Sequence, residues 1–347
     1  MSFMKFFVSG NAPINYPAET LFGVLRCSDE DALEIPYEYP LYGEWGHVLS
    51  NIYEEPKDVP LPQSLDVVYL SIVEQKFYSV EAPIEEKIIK GKWEEAHKGQ
   101  KENQDVHIVV GLAPYGLTAL WIHENRKSVL VSVFKAKPVE VRMADFRAAD
   151  NITLHEVCQR YINRLPHVKR NLEQKGLPRL DLLSGYMRQF VYRFLFIPGK
   201  WGYKRWTKEA AEEERTVLDY IEEALYDGTH DKLHDGGLMK YHRAGKPKKL
   251  RIQWHIGKSE YSAYFWFDDE RIREVFDRFY GAHPDTKTDF IIRIDAEQKK
   301  YELALYRYGL KEPQIVPEDV YQLLVFKNKF EDFHSDNYSQ ERGAWIW

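Results

Sequence analysis

The chain has 347 residues, enough for two compact domains or one large one. Hydrophobic residues make up 44% and charged residues 29%, which excludes a disordered, collagenous or disulfide-stapled chain. A formal charge of −6 excludes a surface built throughout for nucleic acid or anionic lipid, while the 14% aromatic content suits both sheet faces and protein-protein hot spots.

In chain order, residues 1–27 hold only a short apolar patch at 6–8, so no export signal is read there. No window reaches the length of apolar run that a membrane span needs. Residues 11–62 are rich in Pro, Gly and Tyr and read as irregular sheet and loop, with turn signals at Pro36, Pro40, Gly43 and Gly46. Residues 65–72 and 76–80 read as strands. A helix follows over 84–97, with Ile84, Ile88, Ile89 and Trp93 on one face, Pro83 before it and Gly99 after it. Residues 106–112 and 117–123 form a predicted hairpin around Ala113-Pro-Tyr-Gly116, and 128–136 continues the strand pattern until Pro138. The middle of the chain predicts a helix over 153–165, a strand over 187–197 and a strongly acidic helix over 208–226. Strands at 250–256 and 261–267 come next, then a helix over 268–280 with Asp268 as N-cap and Gly281 at its end, then a hairpin at 290–295 and 301–307. Pro317 opens a last predicted helix running to about Phe330.

The order strand, strand, helix, hairpin therefore occurs twice. The expected fold class is α+β: two related modules of antiparallel sheet plus helix, suggestive of an internal duplication, joined by a helical middle segment. The expected divisions are an N-terminal module over 1–140, a charge-segregated connecting segment over 141–245 and a C-terminal module over 246–347.

Candidate chemistry is sparse. Cys27 and Cys158 read as free thiols. His230-Asp-Lys-Leu-His234, with His242 further on, would set two imidazoles on one face of a helix, the spacing of a metal pair. Asp227-Gly and Asp235-Gly-Gly flank it with turn chemistry, which favours a hydrated loop. The carboxylate pairs Glu54-Glu55, Glu85-Glu86, Glu94-Glu95 and Asp268-Asp269 fall mostly on exposed faces or first helical turns, where charge is expected without catalysis. There is no phosphate loop, dinucleotide fingerprint or serine elbow, so no cofactor is expected. Charge is segregated by blocks. Residues 1–60 carry 10 acidic and 3 basic side chains, 160–208 carry 2 and 12, and 209–235 carry 10 and 2. The basic block interleaves aromatics, a texture found in single-strand nucleic-acid binders, but the adjacent acidic block is its simpler partner.

The stretches Asn11-Ala-Pro-Ile-Asn-Tyr-Pro, Tyr42-Gly-Glu-Trp-Gly46, Leu61-Pro-Gln-Ser-Leu-Asp-Val-Val-Tyr-Leu-Ser71, Glu74-Gln-Lys-Phe-Tyr78 and Val110-Gly-Leu-Ala-Pro-Tyr-Gly116 resemble a proteobacterial family of unknown function, many of whose members are predicted lipoproteins. The resemblance covers residues 10–136 and continues through Tyr261-Ser-Ala-Tyr-Phe-Trp-Phe267 toward the C-terminus. It implies no catalytic residues. Similar proteins are often encoded beside antibacterial effectors of secretion systems, so the resemblance implies an immunity protein of a type VI secretion-like effector pair that binds its toxin without catalysis. This chain lacks the lipoprotein signal, which favours a cytoplasmic location and a toxin acting in the cytosol. The expected partner is the cognate effector toxin; the acidic N-terminal region reads as either a solvated face or a landing site for a basic protein, with Asp29, Glu30, Asp31, Glu54, Glu55 and Asp58 as candidate contacts. Membrane and nucleic acid are not expected partners, and the oligomeric state is open. The alternative expectation is a metal-dependent hydrolase or ligand-binding protein using the His230 and His234 region.

Overall fold

The computed structural model describes residues 3–37, 39–49, 56–98, 105–125, 127–147, 152–198, 216–234, 240–256, 259–295 and 298–329. Contact density divides the chain into two units. The first comprises Met1–Gln189, Ala224–Asp231 and Ala244–Lys246; the second comprises Phe190–Glu223, Lys232–Arg243 and Pro247–Trp347.

The first unit contains β1 (Phe3–Asn11), β2 (Ala18–Arg26), β3 (Ala32–Glu34), β4 (Lys57–Pro60), β5 (Ser64–Ser71), β6 (Lys76–Pro83), α1 (Glu86–His97), β7 (Val106–Leu112), β8 (Leu117–Glu124), β9 (Lys127–Lys135), β10 (Lys137–Val139) and the helices α2 (Met143–Phe146), α3 (Leu154–Arg164), α4 (Pro166–Lys175) and α5 (Leu180–Tyr186). Strands β9, β8, β7, β1 and β4 are neighbours in one sheet, in that order, and β10, β6, β5, β2 and β3 in another. Alternation explains the core. Leu65, Val67 and Tyr69 point from β5 into the same cluster as Ile108, Val110 and Leu112 of β7 and Leu120 and Ile122 of β8, and Ile89, Trp93 and Ala96 of α1 join them. At one end of the second sheet, Leu70 and Phe77 are capped by Phe146, Val157, Cys158 and Ile162 from the helices. Under that cap the wholly buried Glu19 pairs with Arg147, whose guanidinium also donates to the Tyr161 hydroxyl at 3.0 Å.

The second unit begins with β11 (Phe190–Pro198) and continues through β12 (Thr216–Leu225), whose last two residues fall in the first unit, as does the start of β13 (His230–Leu233). It then holds β14 (His242–Ala244), β15 (Pro247–Ile256), β16 (Ser259–Phe267), α6 (Asp269–Tyr280), β17 (Thr288–Ile294), β18 (Tyr301–Tyr306), β19 (Gln314–Ile315) and β20 (Tyr321–Lys329). Its core is aromatic: Phe190, Phe194, Trp254, Phe265, Phe276 and Phe290 are almost wholly buried. The Asp268 carboxylate caps α6 by accepting from the Arg271 N–H at 3.0 Å, and α6 lays Ile272, Val275, Phe276, Phe279 and Tyr280 into this core.

These elements correct the expected α+β class of two sheet-plus-helix modules joined by a helical middle segment. Among the described residues 49% lie in strands and 22% in helices, so the protein is mostly β. Two segments account for much of the difference. The described part of the acidic stretch 208–226 is strand β12, where Ile221, Glu223 and Leu225 are buried in alternation; pairing and burial outweigh the helix preference of its Glu and Ala residues. The segment after Pro317 makes one 3-10 turn at Glu318–Val320 and then runs as β20, whose Leu, Val, Phe and Tyr residues pair along the whole of β16. The middle of the chain accordingly carries strands β11 to β14 after helices α2 to α5.

Candidate functional site

The polar and glycine residues of the sequence motifs build the first unit from inside. Asn11 Nδ2 donates to the carbonyls of Glu44 at 3.0 Å and His47 at 2.7 Å, pinning the loop at residues 42–49 across the sheet. Trp45 of that loop stands edge-on to Trp121, with ring centroids 4.7 Å apart, and both rings occupy the space above Gly111 where a side chain would otherwise sit. Trp121 Nε1 donates to the Asp227 carbonyl at 2.9 Å. Gly46, at φ +80°, lies against Gly228, at φ +83°; both need the left-handed backbone that glycine adopts freely. Glu74 accepts from the Tyr78 hydroxyl at 2.9 Å and from the Tyr115 N–H at 2.8 Å, and Tyr69 donates from its buried hydroxyl to the Ala113 carbonyl at 2.8 Å. Glu74 is thereby tied to the hairpin tip. Both cysteines are free and buried, and burial pushes each thiol up to about 12.

The residues expected to meet a partner separate into groups. Asp29, Glu30 and Asp31 form the turn from β2 to β3, where the Asp31 carboxylate accepts from Ser28 Oγ at 2.8 Å and Asp29 and Glu30 are exposed. Asp58 is exposed on β4, in the other sheet, directly opposite Lys5 of β1. Glu54 and Glu55 lie outside the described residues, as do Lys200, Lys204 and Arg205 of the basic block.

Strand pairing adds three carboxylates that the sequence did not single out. Glu34 of β3 is opposite Val24 of β2, Val24 is opposite Asp66 of β5, and Asp66 is opposite Glu81 of β6. Directly paired residues share a face, so this rung places three carboxylates on the outer side of the sheet, at the end away from the helical cap. Arg26 stands 4.0 Å from Asp66. Burial first, and then the facing Glu81, raise Asp66 above the ordinary carboxylate range. One rung along, Phe22 lies opposite Val68 and is 45% exposed. A signal for this arrangement existed. The turn between Ser71 and Lys76 fixes the pairing of β5 with β6, and counting back from it brings 66 against 81.

The histidines do not form the helical pair that the spacing allows. Residues 230–233 are a strand, so four extended residues separate His230 from His234 by about 13 Å. His234 instead places Nδ1 3.2 Å from the Asp219 carbonyl, and His242 places Nε2 3.4 Å from the buried Glu223. His230 joins a different group, in the first unit. Phe7, His107, His123, Ser128 and His230 are successive partners across β1, β7, β8, β9 and β13 and therefore share one rung and one face. His47 from the 42–49 loop sits over them, its ring 5.5 Å from His123 and 5.3 Å from His230. Burial, then His47, His107 and His230, push His123 down to about 4; burial also lowers His107. Among the described residues, no group of three or more His, Cys, Asp or Glu side chains is arranged to hold a metal ion.

No curated protein and no solved structure matches the chain. A family profile described as protein of unknown function (DUF2931) matches residues 3–179, just over half of the sequence and nearly all of the first unit's opening segment. The interlocked residues from Asn11 to Gly116 lie inside that match, and on its extent the chain belongs to the DUF2931 family.

Proposed function

We propose that this protein is an immunity protein of an interbacterial, type VI secretion-like effector pair, which neutralises a toxin in the cytosol by tight binding and has no catalysis of its own. The observation that carries the reading is the rung of Glu34, Asp66 and Glu81 on the uncapped end of a sheet face, with Phe22 and Val68 beside it and the acidic turn at Asp29, Glu30 and Asp31 along the same edge. Like charges directly opposite one another weaken a sheet, and a basic partner would neutralise them while covering the neighbouring apolar side chains. Such complementarity acts chiefly on the rate of association, which an immunity protein needs.

The test is capture on the tagged chain in moderate salt from the native bacterium with its toxin genes induced, followed by expression of the captured protein alone and beside this chain. The expected result is one stoichiometric basic protein, toxic alone and harmless with its partner. Charge reversal at Glu34, Asp66 and Glu81, or at Asp29, Glu30 and Asp31, should slow association in low salt and leave dissociation nearly unchanged. Failure to recover a toxic partner would overturn the immunity reading. Recovery with association rates untouched by the reversals would remove this face from it.

A further inference from the structure

The imidazole rung and the loop above it are parts of one mechanical arrangement. The 42–49 loop is fixed at three places: Asn11 holds the carbonyls of Glu44 and His47, Trp45 packs on Trp121, and Ser128 Oγ donates to the Gly46 carbonyl at 2.8 Å. Ser128 is the rung position between His123 and His230, so the loop's hydrogen bond is flanked by an imidazole on either side, and His47 brings a further imidazole from the loop itself. Beneath the loop lie Val109, Ala119, Trp121 and Leu130, an apolar patch that it covers.

We propose that the 42–49 loop is a pH-responsive latch: with neutral imidazoles it closes over this patch, and protonation of the cluster in acid drives His47 and its loop away from the sheet. Two or more imidazolium ions about 5 Å apart repel strongly in a partly buried site. Charged groups lie around the cluster on each element packed against it. Asp105 acts on His107. Asp231 is paired with Lys127 at 3.4 Å. The Asp227 carboxylate accepts from the Thr229 N–H and from Gln189 Nε2. Glu44, exposed on the loop, contributes its carbonyl to the Asn11 contact. Burial first, and then the neighbouring imidazoles, hold His123 down in the closed arrangement, and a packed arrangement that resists protonation is disfavoured once protonated.

Hydrogen exchange of the full-length protein, read by mass spectrometry on peptides covering 42–49 and corrected for the intrinsic pH dependence of exchange, tests the latch. Between about pH 7.5 and 4.5 the loop should lose at least about tenfold in protection, while β5 and β6 keep theirs. His47→Gln, at a half-buried loop position whose backbone carbonyl still accepts from Asn11, should abolish most of that change; His123→Gln should do the same. Loop protection that does not vary with pH would overturn the proposal. So would a loss that persists in the His47→Gln protein, or one shared by β5 and β6, which would be unfolding of the unit and not release of the loop.

Discussion

Replacing Gly111 by Ala places a methyl group where two tryptophans already meet. The added Cβ would lie 2.6 Å from Cη2 of Trp45 and 2.7 Å from Cη2 of Trp121, against about 3.5 Å or more for carbon atoms in ordinary contact, so both rings must shift by close to 1 Å. Trp121 has little room to do so, being wholly buried and held by its Nε1 hydrogen bond to Asp227. Trp45, half-buried on a loop, can move, but its movement relieves only one of the two clashes. The expected cost is near the upper end for overpacking, about 3 kcal/mol. Urea unfolding followed through the amides of β7 and β8 reads the first unit alone. Trp45→Leu in the same chain should recover part of the loss, giving a coupling of about 1 kcal/mol in the double-mutant cycle. A destabilisation under about 0.5 kcal/mol, or additive behaviour of the two substitutions, would refute the reasoning.

Three further outcomes follow from the same geometry. Cys27 and Cys158, buried and with thiols pushed up to about 12, should resist iodoacetamide at pH 8 in the folded protein and react promptly in denaturant; native-state labelling at the rate of a free thiol would contradict their placement. Tyr69→Phe removes the donor to the Ala113 carbonyl and should cost about 1–2 kcal/mol in urea, with unchanged stability as the contrary result. Glu81→Gln should stabilise the first unit by roughly 0.5 kcal/mol at neutral pH, because it relieves the pair opposite Asp66. A carboxyl whose pKa is raised by folding favours the folded state while protonated and loses that advantage as pH rises from its ordinary value of 3.8 through the raised one, so the gain from Glu81→Gln should vanish in acid; a gain independent of pH would contradict this origin.

Much of the fold was legible locally. The pattern at 106–112 and 117–123 corresponds to β7 and β8, and the Asp268 cap with Gly281 brackets α6, because each rests on short-range signals: a hairpin turn, a capping carboxylate, a helix-ending glycine. The failures share a cause. The described part of 208–226 carries Glu and Ala, and Pro317-Glu-Asp reads as a helix opening, so both segments gave helical signals, and only their strand partners, β15 and β16, reveal them as strands. The same holds for the surface. Asp29, Glu30 and Asp31 stand out in the sequence because they are contiguous, whereas Glu34, Asp66 and Glu81 are scattered over 48 positions and become one rung only through three strand pairings. The imidazole cluster was hidden for the same reason, since His47, His107, His123 and His230 are far apart in the chain.

The division between motif and surface bears on where specificity resides. Asn11 holds a loop, Glu74 a hairpin tip, Tyr69 a buried carbonyl, and Gly111 makes room for two indoles, so the residues by which the chain resembles its family have structural work in the interior. Their hydrogen bonds go to the backbone and to one another. What faces outward on the uncapped sheet is a run of side chains whose identity the strand pairing does not dictate: the positions of Glu34, Asp66 and Glu81 need only tolerate solvent on a pleated surface. A scaffold of this kind can keep its interior while its exposed rung changes to suit different partners. On the immunity reading proposed above, grafting the outer-face residues of one family member onto the interior of another should transfer protection from one toxin to the other without loss of folding; transfer that required the motif residues instead would place recognition inside the scaffold and away from the rung.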